Sequence, residues 1–324
     1  MIQENVPLAP YTTFKVGGLA RYFAEASTVE ELKELCSWAR SSIDGRVFAL
    51  GGGSNVLVSD SGFDGLVIRF RASDFKIFED KIFAEAGAFL GKIVSETAEV
   101  GLSGLEWSVG IPGTIGGAIC DNTGAFAREM SELVESVEVL SLEDLSIKKF
   151  NKNDCGFSYR DSIFKKTGNF IILSVVLKLA ESNTNDARER IKNYAVERAS
   201  SFSGAGQKCA GCFFKNVEWS RLCQENSLRK SDFRSTKEEI LQKFPELSQF
   251  SNKPKISAAF LIESAGLKGE KIGDAAVSNK HTNFLVNAGN ATAKDVRDLS
   301  SLVKEKILEK YGFNLEEEVV FVGF

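Results

Sequence analysis

Apolar residues recur along this chain at helical and strand spacings, and glycines mark most of the changes between them. Thr28-Val29-Glu30-Glu31 opens the first helical segment. A hydroxyl followed three residues later by Glu is a capping-box pattern, and Val29, Leu32, Leu35, Cys36 and Ala39 follow on one helical face. A short apolar strand, Arg46–Leu50, runs straight into Gly51-Gly52-Gly53-Ser54-Asn55, and Val56–Val58 resumes as strand. Gly65–Phe70 and Lys81–Ala86 read as strands, and about Ala88 to Val100 as a helix that Gly101 closes with a left-handed cap. Ser136–Leu140 and the apolar run Phe170–Leu179 read as strands, Asp154–Ser162 as a loop and Asp186–Ser200 as a charged helix. The polar stretch Ser200–Gln207 predicts a domain boundary. Beyond it lie Cys209–Asn216, a charged region to about Lys253, a helix Ile256–Ala265 closed by Gly266, and a strand Thr282–Asn287. A helix capped by Thr292 runs to Tyr311, with Asp295 in its first turn and Gly312 just beyond, and Glu318–Val322 is a terminal strand. Residues 1–20 read as extended and irregular.

Composition narrows the function. The chain has 324 residues, room for two or three domains, and its 43% hydrophobic and 26% charged content is ordinary for a globular protein. A net charge of -4 without basic runs predicts no nucleic-acid partner. The apolar run Phe170–Leu177 is too short to span a bilayer, so no membrane insertion is expected. The first residues lack the charged and apolar regions of a secretory signal, so the six scattered cysteines read as reduced thiols in a cytoplasmic protein. The single histidine, His281, argues against a Ser-His-Asp hydrolase and a His-rich metal site.

Candidate chemistry concentrates in two glycine loops. Ser108–Phe126 (SVGIPGTIGGAICDNTGAF) holds Gly110, Gly113, Gly116, Gly117 and Gly124, with Pro112 presetting one turn and Ile111, Ile115 and Ile119 as anchors from beneath. No Lys follows Gly116-Gly117, which excludes the nucleotide-triphosphatase loop. The first loop, Gly51–Asn55, lacks a glycine at position 56 and no helix follows it, so it is not a dinucleotide fingerprint. Two such loops can still line opposite sides of one pyrophosphate with backbone N–H groups and no basic cluster.

Seven stretches in order then resemble one family. They are Thr13-Phe14-Lys15-Val16-Gly17-Gly18, Gly51-Gly52-Gly53-Ser54-Asn55, Gly110-Ile111-Pro112-Gly113 through Gly117, Tyr159-Arg160-Asp161-Ser162, Ala210-Gly211-Cys212-Phe213-Phe214-Lys215-Asn216, Ala265-Gly266-Leu267-Lys268-Gly269 and the Glu318-Val319 terminus. The chain resembles the UDP-N-acetylenolpyruvoylglucosamine reductases (UDP-N-acetylmuramate dehydrogenases) of peptidoglycan precursor synthesis, in their shorter form without a Tyr-bearing insertion. The resemblance implies an α+β architecture with an FAD-binding fold of the vanillyl-alcohol-oxidase type: two α/β subdomains, 1–70 and 71–203, and a C-terminal α/β substrate domain, 204–324. It implies noncovalent FAD held by Gly51, Gly52, Gly53, Ser54, Asn55, Gly110, Ile111, Pro112, Gly113, Gly116 and Gly117, with NADPH as hydride donor. The implied substrate is a small UDP-sugar, and the implied state a monomer or weak oligomer.

The implied reaction reduces an enolpyruvyl ether to a lactyl ether, so negative charge develops on the α-carbon and its carboxylate. That charge needs a fixed cation and donors, and the α-carbon needs a proton. The resemblance assigns Arg160 and Glu318 to the carboxylate and Cys212, where much of the family has serine, to the proton. Tyr159, Asn216, Lys268 and His281 match substrate positions, Lys268 opposite the diphosphate. The chain departs from the family's pattern at Val217 and Glu317, where Pro is frequent, and at Val320, where Arg is frequent. Two rival expectations remain: an oxidase of the same fold with covalently attached FAD, and a metal or redox module built on Cys209-Ala210-Gly211-Cys212. The second lacks a partner C-x-x-C pair for zinc.

Overall fold

The structure is a computed structural model that describes residues 1–201, 206–224 and 236–324. The expected boundary between residues 203 and 204 lies outside the described residues.

The first twenty residues are more ordered than their composition predicts. Gln3–Pro7 is a strand paired antiparallel with Leu19–Ala26, Gln3 standing opposite Phe23. Leu19–Ala26 escapes a hydrophobicity reading because several of its inward positions are small: Ala20, Ala24 and Ala26 are buried while Arg21 and Glu25 face out. Phe63–Phe70 pairs parallel with it and with Val47–Ala49, completing a four-stranded sheet. The helix Val29–Ser42 buries Leu32, Cys36 and Ala39. Thr28 accepts from the Glu31 N–H as expected, but the Glu31 carboxylate takes the N–H of Ser27 instead of that of Thr28.

The second sheet is antiparallel and five-stranded, in the order Ile147–Asn151, Val134–Ser141, Phe170–Lys178, Lys81–Glu85, Phe75–Phe78. Its two outer strands were not foreseen, because they are short and mix apolar and charged residues on both faces: Lys76, Phe78, Ile147, Lys149 and Asn151 are exposed while Lys148 is half-buried. The helix Leu90–Glu99 and the short helix Ile115–Cys120 share its core with Trp107. The latter corrects the reading of Ser108–Phe126 as loop throughout. Thr114 accepts from the Gly117 N–H and starts the helix, and glycine is required because a β-carbon on Gly116 would stand 2.7 Å from the Ala86 β-carbon.

The third sheet, Lys208–Cys209, Leu285–Asn287, Ala275–Val277 and Lys271–Ile272, shares its core with helices Ala258–Ser264 and Ala293–Tyr311. Thr292 caps the long helix in a full capping box with Asp295, and Gly312 ends it with φ +81°. Phe14, Val16 and Leu57 from the N-terminal region complete that core. The chain then returns to its beginning. The terminal strand Val320–Val322 pairs parallel with Val56–Val58, directly after the first glycine loop. Among the described residues no helix is long and apolar enough to cross a membrane.

Candidate active site

The two glycine loops face one another across a cleft of about 1510 Å³, which is also lined by the segments carrying Tyr159, Cys212 and Glu318. Typical small-molecule sites occupy roughly 300–1,000 Å³, so this cleft has room for a dinucleotide and a second ligand. The Ser54 hydroxyl donates to the Pro112 carbonyl at 3.0 Å, which fixes one loop against the other. Gly52 lies against Gly113 so closely that a β-carbon would stand 2.6 Å from the Gly113 Cα. Gly53 (φ +65°) turns the chain under Tyr11, and a β-carbon there would meet the Tyr11 carbonyl at 2.0 Å. Gly117 differs: its added β-carbon would have only the Thr114 hydroxyl nearby, at 3.7 Å, leaving the backbone open to the cleft. Ile115 and Ile119 are buried beneath the loop, as expected, whereas Ile111 lines the cleft.

The second part of the site is a corner built by three distant segments. Ser158 and Asp161 exchange backbone hydrogen bonds of 3.1 Å around Tyr159-Arg160, and Arg160 takes the left-handed conformation at φ +55°. Strain of this kind persists only where the surroundings over-determine it. Here Asn122 donates to the Ser158 carbonyl at 2.9 Å, and the Ser162 hydroxyl donates to the Cys120 carbonyl at 2.6 Å. The turn thus hangs from the end of the short helix of the second glycine loop. Gly124 lets the guanidinium in, since a β-carbon there would stand 2.8 Å from Arg160 Nη1. Arg160 donates to the Gly124 carbonyl through Nη2 and to Glu318 Oε1 through Nε at 2.9 Å.

Glu318 reaches this corner because the terminal segment is clamped on both sides. Its N–H donates to the Phe213 carbonyl at 2.8 Å, and Val320 N–H donates to the Asn55 carbonyl at 3.0 Å. Arg160 and Glu318 are largely buried, their side chains 16% and 18% exposed. Burial pushes the Glu318 carboxyl above the usual carboxylate range; Arg160 and Lys165 pull it back and Asp121 adds to the rise. Burial works against the Arg160 charge, but Glu318, Tyr159 and Cys212 together offset it and the guanidinium stays charged.

Cys212 lines the same cleft and packs with Cys209 against Ala276, Phe284 and Val286. Burial, reinforced by the Glu318 charge and opposed by Arg160, pushes its thiol up to about 12. It is held as a neutral thiol, the form a proton donor needs. Cys209 is raised by burial too, and its carbonyl accepts from the Thr13 hydroxyl at 2.6 Å.

The remaining expected residues are placed unevenly. Tyr159 lines the cleft, with its hydroxyl accepting from Asn216 N–H at 3.3 Å and the Lys255 ammonium 2.9 Å from the ring centroid. Asn216 lines it too, but its side-chain carbonyl accepts from Ala258 N–H at 3.0 Å, at the start of the helix Ala258–Ser264. His281 lines the cleft beside Phe284, ring centroids 4.8 Å apart, and burial lowers its pKa. Lys268 is not brought to the cleft; its ammonium lies on Glu263 at 3.0 Å, half-exposed. The departures from the family's pattern are accommodated. Val217 pairs with Ile256, Glu317 bonds Lys304 at 2.9 Å, and Val320 supplies the N–H that holds Asn55.

Sequence reading missed four site residues. Asn283 brackets Phe214, accepting from its N–H at 2.9 Å and donating to its carbonyl at 2.8 Å, which fixes the extended segment that follows Cys212. Lys255 lines the cleft above Tyr159. Lys165 and Asp121 form an ion pair of 2.8 Å behind Glu318. Lys165 follows the Tyr159–Ser162 stretch on the next short helix, which was the available signal; Asn283 carried none. Among the described residues no group of three His, Cys, Asp or Glu side chains is arranged to hold a metal.

Residues 20–148 match the model described as FAD binding domain, and residues 204–322 match UDP-N-acetylenolpyruvoylglucosamine reductase, C-terminal domain. The chain is 37% identical over 322 residues to the UDP-N-acetylenolpyruvoylglucosamine reductase of Caldicellulosiruptor saccharolyticus, covering 99% of this chain and 91% of that one. It is 34% identical over 328 residues to that of Anoxybacillus flavithermus, covering 99% and 94%. The solved UDP-N-acetylenolpyruvylglucosamine reductase of Thermus caldophilus superposes with a TM-score of 0.75 at 33% identity, covering 99% of this chain and all of that one. The fold is α+β with an FAD-binding unit of the vanillyl-alcohol-oxidase type, and FAD is the cofactor. The glycine cradle fits it, since Gly117 presents bare backbone where a side chain would enter the cleft. With this match along its whole length, the chain belongs to the UDP-N-acetylenolpyruvoylglucosamine reductase family, FAD-binding oxidoreductases of peptidoglycan precursor synthesis.

Proposed function

We infer that this chain uses NADPH to reduce the enolpyruvyl ether of UDP-N-acetylglucosamine to the lactyl ether, with Arg160, Glu318 and Cys212 acting on the carboxyl end of the substrate. On this reading residues 1–70 and 71–203 hold FAD noncovalently, and 204–324 cover the substrate. Bound FAD supplies the hydride that reaches the methylene carbon. The observation that carries the reading is the buried Arg160–Glu318 pair, 2.9 Å apart, in the same cleft as the glycine loops and Cys212.

Arg160 offers fixed positive charge to the substrate carboxylate as negative charge grows there. Glu318, pushed toward its neutral form by burial, donates a hydrogen bond to the same oxygens. The Cys212 thiol gives its proton to the α-carbon and regains one from solvent after product leaves. Its raised pKa keeps the proton in place until an acceptor as basic as an enolate forms. Tyr159, Asn216 and His281 shape the wall that the sugar meets, and Lys268 has no part in this arrangement.

The test is direct. Purified protein should be yellow, release its colour on denaturation, and, under anaerobic conditions, oxidise more than one NADPH per flavin only when the enolpyruvyl UDP-sugar is present. Colour that stays with the denatured chain would favour a covalent flavin oxidase, and colourless protein that takes up no added FAD would defeat the reading.

A further inference from the structure

Behind Glu318 lies a set of side chains to which the reading above gives no role. Lys165 stands on the short helix Ile163–Thr167. Its ammonium is 2.8 Å from Asp121 Oδ1 and donates to the Glu318 carbonyl at 3.0 Å. The other oxygen of Asp121 accepts from the Asn55 side-chain amide at 2.8 Å, and that amide also reaches the Glu318 carbonyl at 3.3 Å. Lys165 and Asp121 are each only 17% exposed. A buried ion pair adds little net stability over an apolar one, while losing one partner is costly. This pair converges with Asn55 on the backbone of a residue whose carboxylate holds Arg160.

We propose that Lys165 and Asp121 are positioning residues for Glu318: together they fix its backbone, tie it through Asn55 to the first cofactor loop, and set the electric field at its carboxyl. The inference rests on the role given to Glu318 above. The charged and titratable groups facing that carboxyl are Arg160, Lys165 and Asp121, with Cys212 and Tyr159 close enough to feel it. Lys165 draws the Glu318 pKa down and Asp121 drives it up. Removing each charge must therefore move Glu318 in opposite directions. A scaffold role would instead slow both variants without opposite shifts.

The experiment uses the FAD-loaded full chain with Lys165→Met, Asp121→Asn and Lys165→Arg. Titration of the Glu318 carboxyl is followed by infrared spectroscopy with labelled glutamate, Glu318→Gln assigning the band. Lys165→Met should raise the midpoint by about one pH unit and Asp121→Asn should lower it by about as much. Lys165→Arg, which keeps the charge, should stay near the parent. Reoxidation by the UDP-sugar should slow about ten-fold in Lys165→Met, with flavin reduction by NADPH unchanged. Should Lys165→Met not fold, Lys165→Gln carries the same predictions. Midpoints moving in the same direction, or not at all, in flavin-loaded variants would overturn the proposal. If Glu318→Gln turns over normally, the role of Glu318 falls instead, and the infrared midpoints still decide whether the pair sets its field.

Discussion

The two halves of this site are built by opposite means. The glycine cradle is made mostly of backbone from two loops, one between the strands Val47–Ala49 and Val56–Val58 and one leading into the helix Ile115–Cys120, and its closest approaches are those of residues without side chains. The corner at Arg160 is made of side chains from three segments that meet only in the folded chain, Arg160 and Glu318 lying 158 residues apart. The cradle suits a ligand that must be held firmly and needs little charge. The corner brings together an arginine, a carboxyl of raised pKa and a neutral thiol, which on the proposed reaction would meet the charge that appears and disappears during one step. Binding and chemistry should therefore be separable by substitution.

The largest expected effect is at Cys212. Removing a positioned proton donor typically costs about 10²–10⁴-fold, so Cys212→Ala should nearly abolish reoxidation of the flavin by the UDP-sugar. Cys212→Ser should retain much of the rate, and Cys209→Ala should change little. Stopped-flow traces at the flavin absorbance band check all three. A normal rate in Cys212→Ala would remove the thiol from the chemistry. Damage from Cys209→Ala reversed by zinc or oxidant would favour the C-x-x-C module.

Substitutions in the cradle should show the complementary pattern. Gly117→Val adds a side chain at the cleft wall with its β-carbon in ordinary contact with the Thr114 hydroxyl at 3.7 Å, so it should weaken FAD binding about ten-fold at less cost to folding than a change at the tightly packed glycines, read by equilibrium titration of apoprotein with FAD. Gly53→Ala meets the Tyr11 backbone at 2.0 Å and a left-handed φ, so it should lower the melting temperature of the apoprotein itself. Gly116→Ala, against Ala86, belongs with Gly53. An unchanged FAD affinity in Gly117→Val would mean that the loop does not face the cofactor.

The smallest effect is on pH dependence. The Cys212 thiol, at about 12, stays protonated between about pH 6 and 9, so it contributes no alkaline loss there. Glu318 is raised, so rising pH ionises it and removes its donated hydrogen bond. Reoxidation should therefore slow as pH rises through the Glu318 pKa. The slope should survive in Cys212→Ser and vanish in Glu318→Gln. A slope that followed the thiol would reverse these assignments.

The difference between the halves also explains what was legible in the sequence. Both glycine loops, the Thr28 and Thr292 caps and the Gly101 and Gly312 terminators could be read because each depends on residues within a few positions of one another. The strand Leu19–Ala26 was missed because its inward side chains include three alanines. The helix Ile115–Cys120 was missed because two of its six residues are glycine, Gly116 kept there by tight packing against Ala86 and Gly117 open to the cleft. Arg160, Cys212 and Glu318 could be singled out only by family resemblance. Nothing local reveals that Lys165 and Asn55 both reach the Glu318 carbonyl, contacts that span 153 and 263 residues.

The claim that the corner acts on substrate and not on cofactor is tested most directly by timing the two half-reactions separately in Arg160→Ala and Glu318→Gln. Reduction of the flavin by NADPH should stay close to the parent rate, while reoxidation by the enolpyruvyl UDP-sugar should fall about a hundred-fold or more in each. Equal slowing of both half-reactions would contradict the account.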